Sequence, residues 1–399
     1  MVKTKSLLLK NCRILDNDVL VQTDILISNG KIKKLAANQF KADKFIDLKN
    51  KIVMPGVIDS HVHFRDPGLT NKEDFLTGSK AASKGGITTI IDMPNTVPPT
   101  VSVKNLNLKR KNAKKSVVNY GFHFGVTDNN LSEITKAKNI ASVKIFMDST
   151  TGNMKVDDVK VLAKIFKKCK IVSVHAEGNK IKKAVNLINK TKNMLYLCHI
   201  SSNSELAAIK KNDRIFIEVT PHHLFLTIKD CKKLGPFAKM KPNLKTKKDA
   251  EALWNAINSG FIDTVATDHA PHTKDEKIKY APYGVPGVET MLPLLIDSVN
   301  KKKLALERLV KLCCENPAKI FKIKGKGYIK EGFDADLTVI DMDMVKQVKN
   351  DELLTKCGWS PFNGKILKGW PVMTIVNGNI IYDNGKINKI PAKEVRYYE

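Results

Sequence analysis

Six polar residues each sit inside or just past a short apolar, strand-like run, and they are spread from position 61 to position 268. His61 and His63 follow the run at 53–59, Lys144 lies within Ala141-Ser-Val-Lys-Ile-Phe-Met147, and His175 ends Ile171-Val-Ser-Val. His199 ends Met194-Leu-Tyr-Leu-Cys, and Asp268 ends the run at 261–267. In a parallel barrel the C-terminal strand ends converge on one face, so residues far apart in sequence can meet around a single point. Borderline-soft imidazoles with a carboxylate are a ligand set expected for zinc. The pattern predicts a binuclear zinc site of the hydrolytic type.

The rest of the chain agrees with a barrel. Strand-like runs alternate with lysine-rich helical stretches such as 155–170 and 249–259. Alternation over about 270 residues fits a (β/α)8 barrel, typically ~250 residues long. Residues 1–52 and 329–399 read differently, as short alternating runs with turn signals such as Asn29-Gly30. Neither end could bury a face alone, so the two are expected to pair into one small β-sandwich. The predicted fold class is α/β: a TIM-like (β/α)8 barrel over 53–328, with a β-sandwich built from both chain ends.

Composition narrows the function. A hydrophobic fraction of 42% supports a sizeable core. No apolar run approaches the ~18–20 residues needed to span a bilayer. The basic start, Met1-Val-Lys-Thr-Lys-Ser-Leu-Leu-Leu-Lys10, has too short an apolar patch for a signal peptide. The chain therefore reads as cytoplasmic, with no membrane partner. Seven cysteines form no Cys-x-x-Cys pair, which argues against a disulfide framework or a thiolate zinc site. Cys198, beside His199, is read as a small buried strand residue that could lie near the metal. The net charge of +28 raises nucleic-acid binding as a possibility. The lysines are spread along the chain, however, with short clusters such as Lys109-Arg-Lys-Asn-Ala-Lys-Lys115, and no aromatic-interleaved patch appears. A solvated basic surface that attracts small anions is expected instead, with no nucleic-acid partner.

Asp59-Ser-His-Val-His-Phe-Arg-Asp-Pro-Gly68 is the strongest local signal. Residues two apart on a strand share a side, so His61 and His63 can reach one metal and Arg65 points the same way. Its guanidinium offers a bidentate clamp for a carboxylate. Lys144 is costly in an apolar strand unless neutralised or paired. At a barrel-strand end beside two metals it can react with CO₂ to give a bridging carbamate; otherwise it snorkels to solvent, or Asp148 is the bridging carboxylate. His175 and His199 would complete the second metal's shell, or each is a hydrogen-bonded core residue. His222 and His223 are expected to orient ligands or pack, and His123 to be structural. Asp268 is the catalytic candidate, able to take a proton from the nucleophile and pass it to the leaving group, against the bland reading of a helix N-cap. His272 on the same loop could reach the substrate.

At these residues the chain resembles the cyclic-amidohydrolase superfamily, and within it the dihydroorotase family. The resemblance is nearly full length. It runs through His61-Val-His-Phe-Arg-Asp-Pro-Gly68, Gly85-Gly-Ile-Thr-Thr-Ile-Ile-Asp-Met-Pro-Asn-Thr96, Val143-Lys-Ile-Phe-Met147 and Val174-His-Ala-Glu177. It continues through Cys198-His-Ile-Ser201, Thr267-Asp-His-Ala-Pro-His-Thr273 and Gly287-Val-Glu-Thr-Met-Leu-Pro-Leu-Leu295. The first and sixth are shared with allantoinases; Met93-Pro-Asn-Thr96 and Arg65 are more specific to dihydroorotases.

The resemblance implies one Zn²⁺ held by His61, His63 and Asp268, a second by His175 and His199, and a CO₂-derived carbamate on Lys144 bridging both. It further implies that Arg65, Asn95 and His272 hold a substrate carboxylate, and that Tyr283 and Gly284 offer backbone contacts to the ring. Thr150 falls in a mobile loop that closes over the substrate in such relatives. Two departures stand out. Lys241, in Lys239-Met-Lys-Pro-Asn-Leu-Lys245, stands where the family carries Asn or Arg, and a lysine donates singly rather than bidentately. Some dihydroorotases also use an aspartate at a place like Asp148 in lieu of the carbamate.

The implied activity is reversible interconversion of N-carbamoyl-L-aspartate and (S)-dihydroorotate in pyrimidine synthesis. A homodimer and an association with aspartate transcarbamoylase come with it as expectations. An allantoinase or hydantoinase, or a non-catalytic scaffold for aspartate transcarbamoylase, are the alternatives.

Overall fold

The computed structural model describes residues 6–36, 40–149 and 154–398. Eight parallel strands form the central sheet, in sequence order: Val57–Val62, Ile87–Asp92, Asn119–Gly125, Ser142–Phe146, Ile171–His175, Met194–Leu197, Ile215–Val219 and Thr264–Val265. The last is two residues long, and the ring closes through the loop beyond it. Val62 bridges His269, whose carbonyl accepts from the His63 N–H at 2.8 Å. The strands are buried on both faces, as a helix-wrapped parallel sheet requires.

Local chemistry sets the helix limits. The stretch expected at 155–170 forms Val159–Lys168, with the Asp158 side chain accepting from the Lys160 and Val161 amides. The stretch at 249–259 forms Lys247–Asn258, started by a Thr246/Asp249 capping box.

The two chain ends meet in one nine-stranded sheet among the described residues, joined where Ile52–Pro55 pairs with Leu7–Asp16 on one side and Leu337–Gln347 on the other. Its hairpins turn at Asn29-Gly30, Asn377-Gly378 and Asn384-Gly385, all six residues having positive φ as type I′ turns require. Leu9, Ile25, Val53, Leu337 and Ile375 belong to a core of its own, apart from that of the barrel. The C-terminal tail then returns to the barrel, where the Val395 N–H donates to Tyr120 O.

Lys109 corrects the expectation of a solvated basic cluster at 109–115. It is fully buried and pairs with Asp92 at 2.5 Å. Asp92 also accepts from the Phe64 N–H at 2.7 Å, and Lys109 donates to Met93 O. This one pair therefore ties the ends of the first two barrel strands together beneath His63 and Asn95. Removing one member leaves a buried charge without its partner. Lys109→Met is expected to destabilise the fold by about 3–5 kcal/mol in urea or thermal unfolding, whereas the exposed Lys111→Met should stay within about 0.5 kcal/mol.

Candidate metal centre and substrate cleft

The predicted ligands do meet at the C-terminal face of the barrel. Asp268 Oδ1 lies 3.0 Å from His63 Nε2 and 3.3 Å from His61 Nε2. Ligand atoms of His61, His199 and Asp268 all fall within 4.8 Å of one another. His175 Nδ1 and His199 Nε2 are 2.9 Å apart, with ring centroids at 4.5 Å. Of the other nitrogens of this pair, His199 Nδ1 is buried without a hydrogen-bond partner among the described residues, and His175 Nε2 faces Glu177 Oε1 at 3.5 Å. Burial pushes the imidazoles of His63 (to about 4), His175 and His199 downward, so they present neutral lone pairs. At His61 burial also opposes the charge, but Glu218 and Asp268 outweigh it and raise the group to about 10. Burial alone would raise Asp268; the neighbouring imidazoles of His61, His63 and His199 hold it ionised instead. Four converging imidazoles, three of them held neutral by burial, around an ionised carboxylate fit a divalent cation.

Lys144 is wholly buried, its ammonium 2.9 Å from Cys198 Sγ and 5.3 Å from the Phe146 ring centroid. Cys198 is thus a buried strand-end residue in direct contact with the candidate bridging lysine. Asp148, the rival bridge, is otherwise engaged: Oδ1 takes a 2.7 Å ion pair from Lys180 and Oδ2 accepts from the Glu177 N–H at 3.0 Å.

A carboxylate absent from the sequence reading organises the centre. Glu218, in the seventh barrel strand, accepts at Oε1 from His61 Nδ1–H (2.8 Å) and from the His199 N–H (2.9 Å). Its Oε2 accepts from the Tyr196 hydroxyl at 2.8 Å. The bond to Nδ1 fixes the tautomer that turns His61 Nε2 toward Asp268. Asn95 does the same for His63, its Oδ1 accepting from Nδ1–H at 2.6 Å. Asp59 accepts from the Thr267 amide and hydroxyl at 3.0 and 2.6 Å, holding the Asp268 turn. The signal for Glu218 was available: a glutamate within Ile215-Phe-Ile-Glu-Val219 is as costly as a lysine within an apolar strand. Arg65, His199 and Asp268 all have positive φ (62°, 40° and 47°), a conformation retained by non-glycine residues only where the surroundings impose it.

His61, His63, Arg65, Asn95, Phe146, His175, His199, Lys241, Asp268, Ala270, Tyr283 and Gly284 line one cleft. Arg65 is buried, its Nε donating to Pro271 O at 3.1 Å. His272 does not line the cleft but stands behind Arg65, 3.3 Å from its terminal nitrogen. The tautomer with Nε2–H donating to Tyr283 O (3.0 Å) and Nδ1 accepting from Lys72 (3.2 Å) satisfies both ring nitrogens. Burial, Arg65 and Lys72 push this imidazole down to about 2. Lys241 donates to Ser149 O at 2.6 Å and sits 3.9 Å from Glu177. The Tyr283–Gly284 backbone is already engaged: Gly284 N–H donates to Lys239 O at 3.1 Å and Tyr283 O accepts from His272. Thr150 lies outside the described residues.

The remaining histidines stand apart from the cleft. His123 is buried with partners at both nitrogens, Ser142 Oγ and Ser60 O. His223 bridges Thr220 Oγ1 and Pro242 O, and the His222 ring lies tilted against it with centroids 4.5 Å apart.

Loss of an outer carboxylate typically weakens metal affinity by about 10–100-fold. Glu218→Gln is expected to show that loss in a chelator-competition titration, with the far-UV spectrum retained.

The chain matches the amidohydrolase family over residues 52–381. It is 37% identical to a dihydroorotase of Methanosarcina acetivorans, the match covering 96% of this chain and 94% of that protein. It is 38% identical to a dihydroorotase of Pyrococcus abyssi, covering 96% of each. Among solved structures, an L-hydantoinase (dihydropyrimidinase) from Arthrobacter aurescens superposes with a TM-score of 0.91 at 29% identity, covering 98% of this chain and 99% of that one. A D-hydantoinase from a Thermus species gives 0.86 at 27% identity over 96% of each. The chain belongs to the amidohydrolase family, within its dihydroorotase branch, and is a cyclic amide hydrolase.

Proposed function

We propose that this enzyme interconverts (S)-dihydroorotate and N-carbamoyl-L-aspartate in pyrimidine biosynthesis. The observation that carries the reading is Arg65. It is a buried guanidinium on the cleft wall whose Nε donates to the Pro271 carbonyl and whose terminal nitrogen stands 3.3 Å from the neutral His272 ring. Asp268, Asp92 and Glu276 lie near enough to favour its charge, but none is in hydrogen-bond contact with it among the described residues, so its free donors suit an anion on the ligand. Dihydroorotate carries a ring carboxylate; a simple hydantoin or dihydropyrimidine does not.

His61, His63 and Asp268 would hold one zinc ion and His175 and His199 the other. Lys144 would serve as a carbamate between them, a role favoured over Asp148 because Lys180 already occupies that carboxylate. When bound, such a pair supplies Lewis acidity to the ring carbonyl and a more acidic water. Arg65 holds the substrate carboxylate, braced by His272. Asn95 keeps the His63 ring in place, and Lys241 donates a single bond to the ring. Asp268 Oδ1 takes the proton of the attacking water and delivers it to the ring nitrogen as the carbonyl–nitrogen bond breaks. In the synthetic direction the same oxygen removes that proton from the ureido nitrogen. A cytoplasmic homodimer, able to associate with aspartate transcarbamoylase, belongs to the same reading; a solution mass of twice 44.5 kDa tests the dimer.

The test is dihydroorotate hydrolysis by the purified protein, with zinc determined on the same sample. Turnover with two zinc ions per chain is expected. Turnover only of dihydrouracil or a hydantoin would sink the proposal and favour the activity named for the solved neighbours. Asp268→Asn is expected to lower kcat by about 10²–10⁴-fold, the usual worth of a general acid–base. Arg65→Met should act chiefly on KM for dihydroorotate.

A further inference from the structure

Four lysines of the described chain are almost wholly buried, and two of them are explained by carboxylates. Lys109 faces Asp92, and Lys326 faces Asp334 and Asp336. Lys144 belongs to the metal centre. Lys277 is the fourth. It projects from the helix Lys274–Tyr280, is fully buried, and its ammonium donates only to carbonyl oxygens: Lys239 at 2.9 Å, Pro282 at 2.8 Å and Gly284 at 3.1 Å. The Trp359 ring covers it at 5.6 Å. Three carbonyls match the three N–H donors of an ammonium. Burial, with Lys239 nearby, drags the group down to about 7.

The carbonyls belong to two segments, 239–241 and 282–284, which bring Lys241, Tyr283 and Gly284 to the cleft. The same bonds reach Arg65. Tyr283, between two of the gripped carbonyls, accepts from His272, and His272 stands against Arg65. From the other side Trp359 Nε1–H donates to His272 O at 2.8 Å.

We propose that Lys277 is a positioning residue for substrate recognition: its ammonium fastens segments 239–241 and 282–284 into one wall and, through Tyr283 and His272, sets the Arg65 guanidinium that selects a ring carboxylate. Lys277 itself touches no substrate. The inference rests on the dihydroorotate reading for the identity of the selected group, but the fastening of the wall does not.

The test compares zinc-loaded wild type with Lys277→Met, which keeps the apolar stem and removes the donors. A wall out of place by about an ångström costs binding and orientation steeply. KM for dihydroorotate is expected to rise about tenfold with kcat within about threefold, and the preference for dihydroorotate over dihydrouracil to fall about tenfold. Trp359→Leu, which strips the cover and the bond to His272 O, is expected to give the same signature should Lys277→Met not fold. Unchanged KM and preference in a folded variant, a fall in kcat alone, or loss of folding in both variants would overturn the proposal in favour of a purely structural lysine. Failure of the parent reading is distinguishable, because it appears in the wild type. If the wild type turns over only rings without a carboxylate, the KM comparison on that ring still decides whether Lys277 sets the wall.

Discussion

The Glu218 carboxylate is the interaction on which the centre depends. One side chain receives the His61 ring, the His199 backbone and the Tyr196 hydroxyl, which come from the first and sixth barrel strands or their ends. A buried carboxylate left half-satisfied would be more costly than an apolar side chain in its place. With both its oxygens engaged, it fixes the His61 tautomer and the strand end that delivers His199. Tyr196 extends the network to Ser60 and Thr264, so the first, sixth, seventh and eighth strands share one set of hydrogen bonds.

Around that hub the barrel mouth is built from buried charge. Asp92 and Lys109 join the first two strand ends, Asp59 holds the Thr267–Asp268 turn, and Lys277 joins two cleft segments. Each would be expensive alone, and each is given enough partners to persist. The left-handed backbone at Arg65, His199 and Asp268 belongs with them: these residues turn sharply off strand ends, and the surrounding hydrogen bonds hold them there. Rigid placement suits a reaction in which a proton must be handled at one carboxylate oxygen while an anion is held nearby.

The sheet formed by the chain ends contributes more than a second core. Its segment beyond residue 350 reaches back to the barrel mouth, where Thr355 and Lys356 bond Glu73, the Leu354 and Thr355 amides bond Glu289, and Trp359 bonds His272 O. The cleft wall therefore rests on residues far from it in sequence. The basic surplus is spread over the surface, while the cations that matter to the cleft, Arg65, Lys241 and Lys277, are few and individually placed.

The alternation of apolar runs with helical stretches, the Asn-Gly turns and the polar residues at strand ends made the barrel, the end-to-end sheet and the candidate ligands legible in the sequence, because period and strand polarity are local properties of the chain. Lys144 could be suspected for the same reason, as a charge where apolar residues belong. Only the tertiary structure decided how those residues are supported. It paired Lys109 with Asp92 where the sequence suggested a solvated face. It placed His272 behind Arg65 instead of on the cleft wall, turned Asn95 Oδ1 to His63, and gave Glu218, Tyr196, Asp59 and Lys277 their tasks. Apart from the Lys277 bonds to Pro282 and Gly284, these are contacts between residues separated by 16 to 208 positions, fixed by barrel closure and side-chain packing, and no local pattern encodes which buried charge will find which partner.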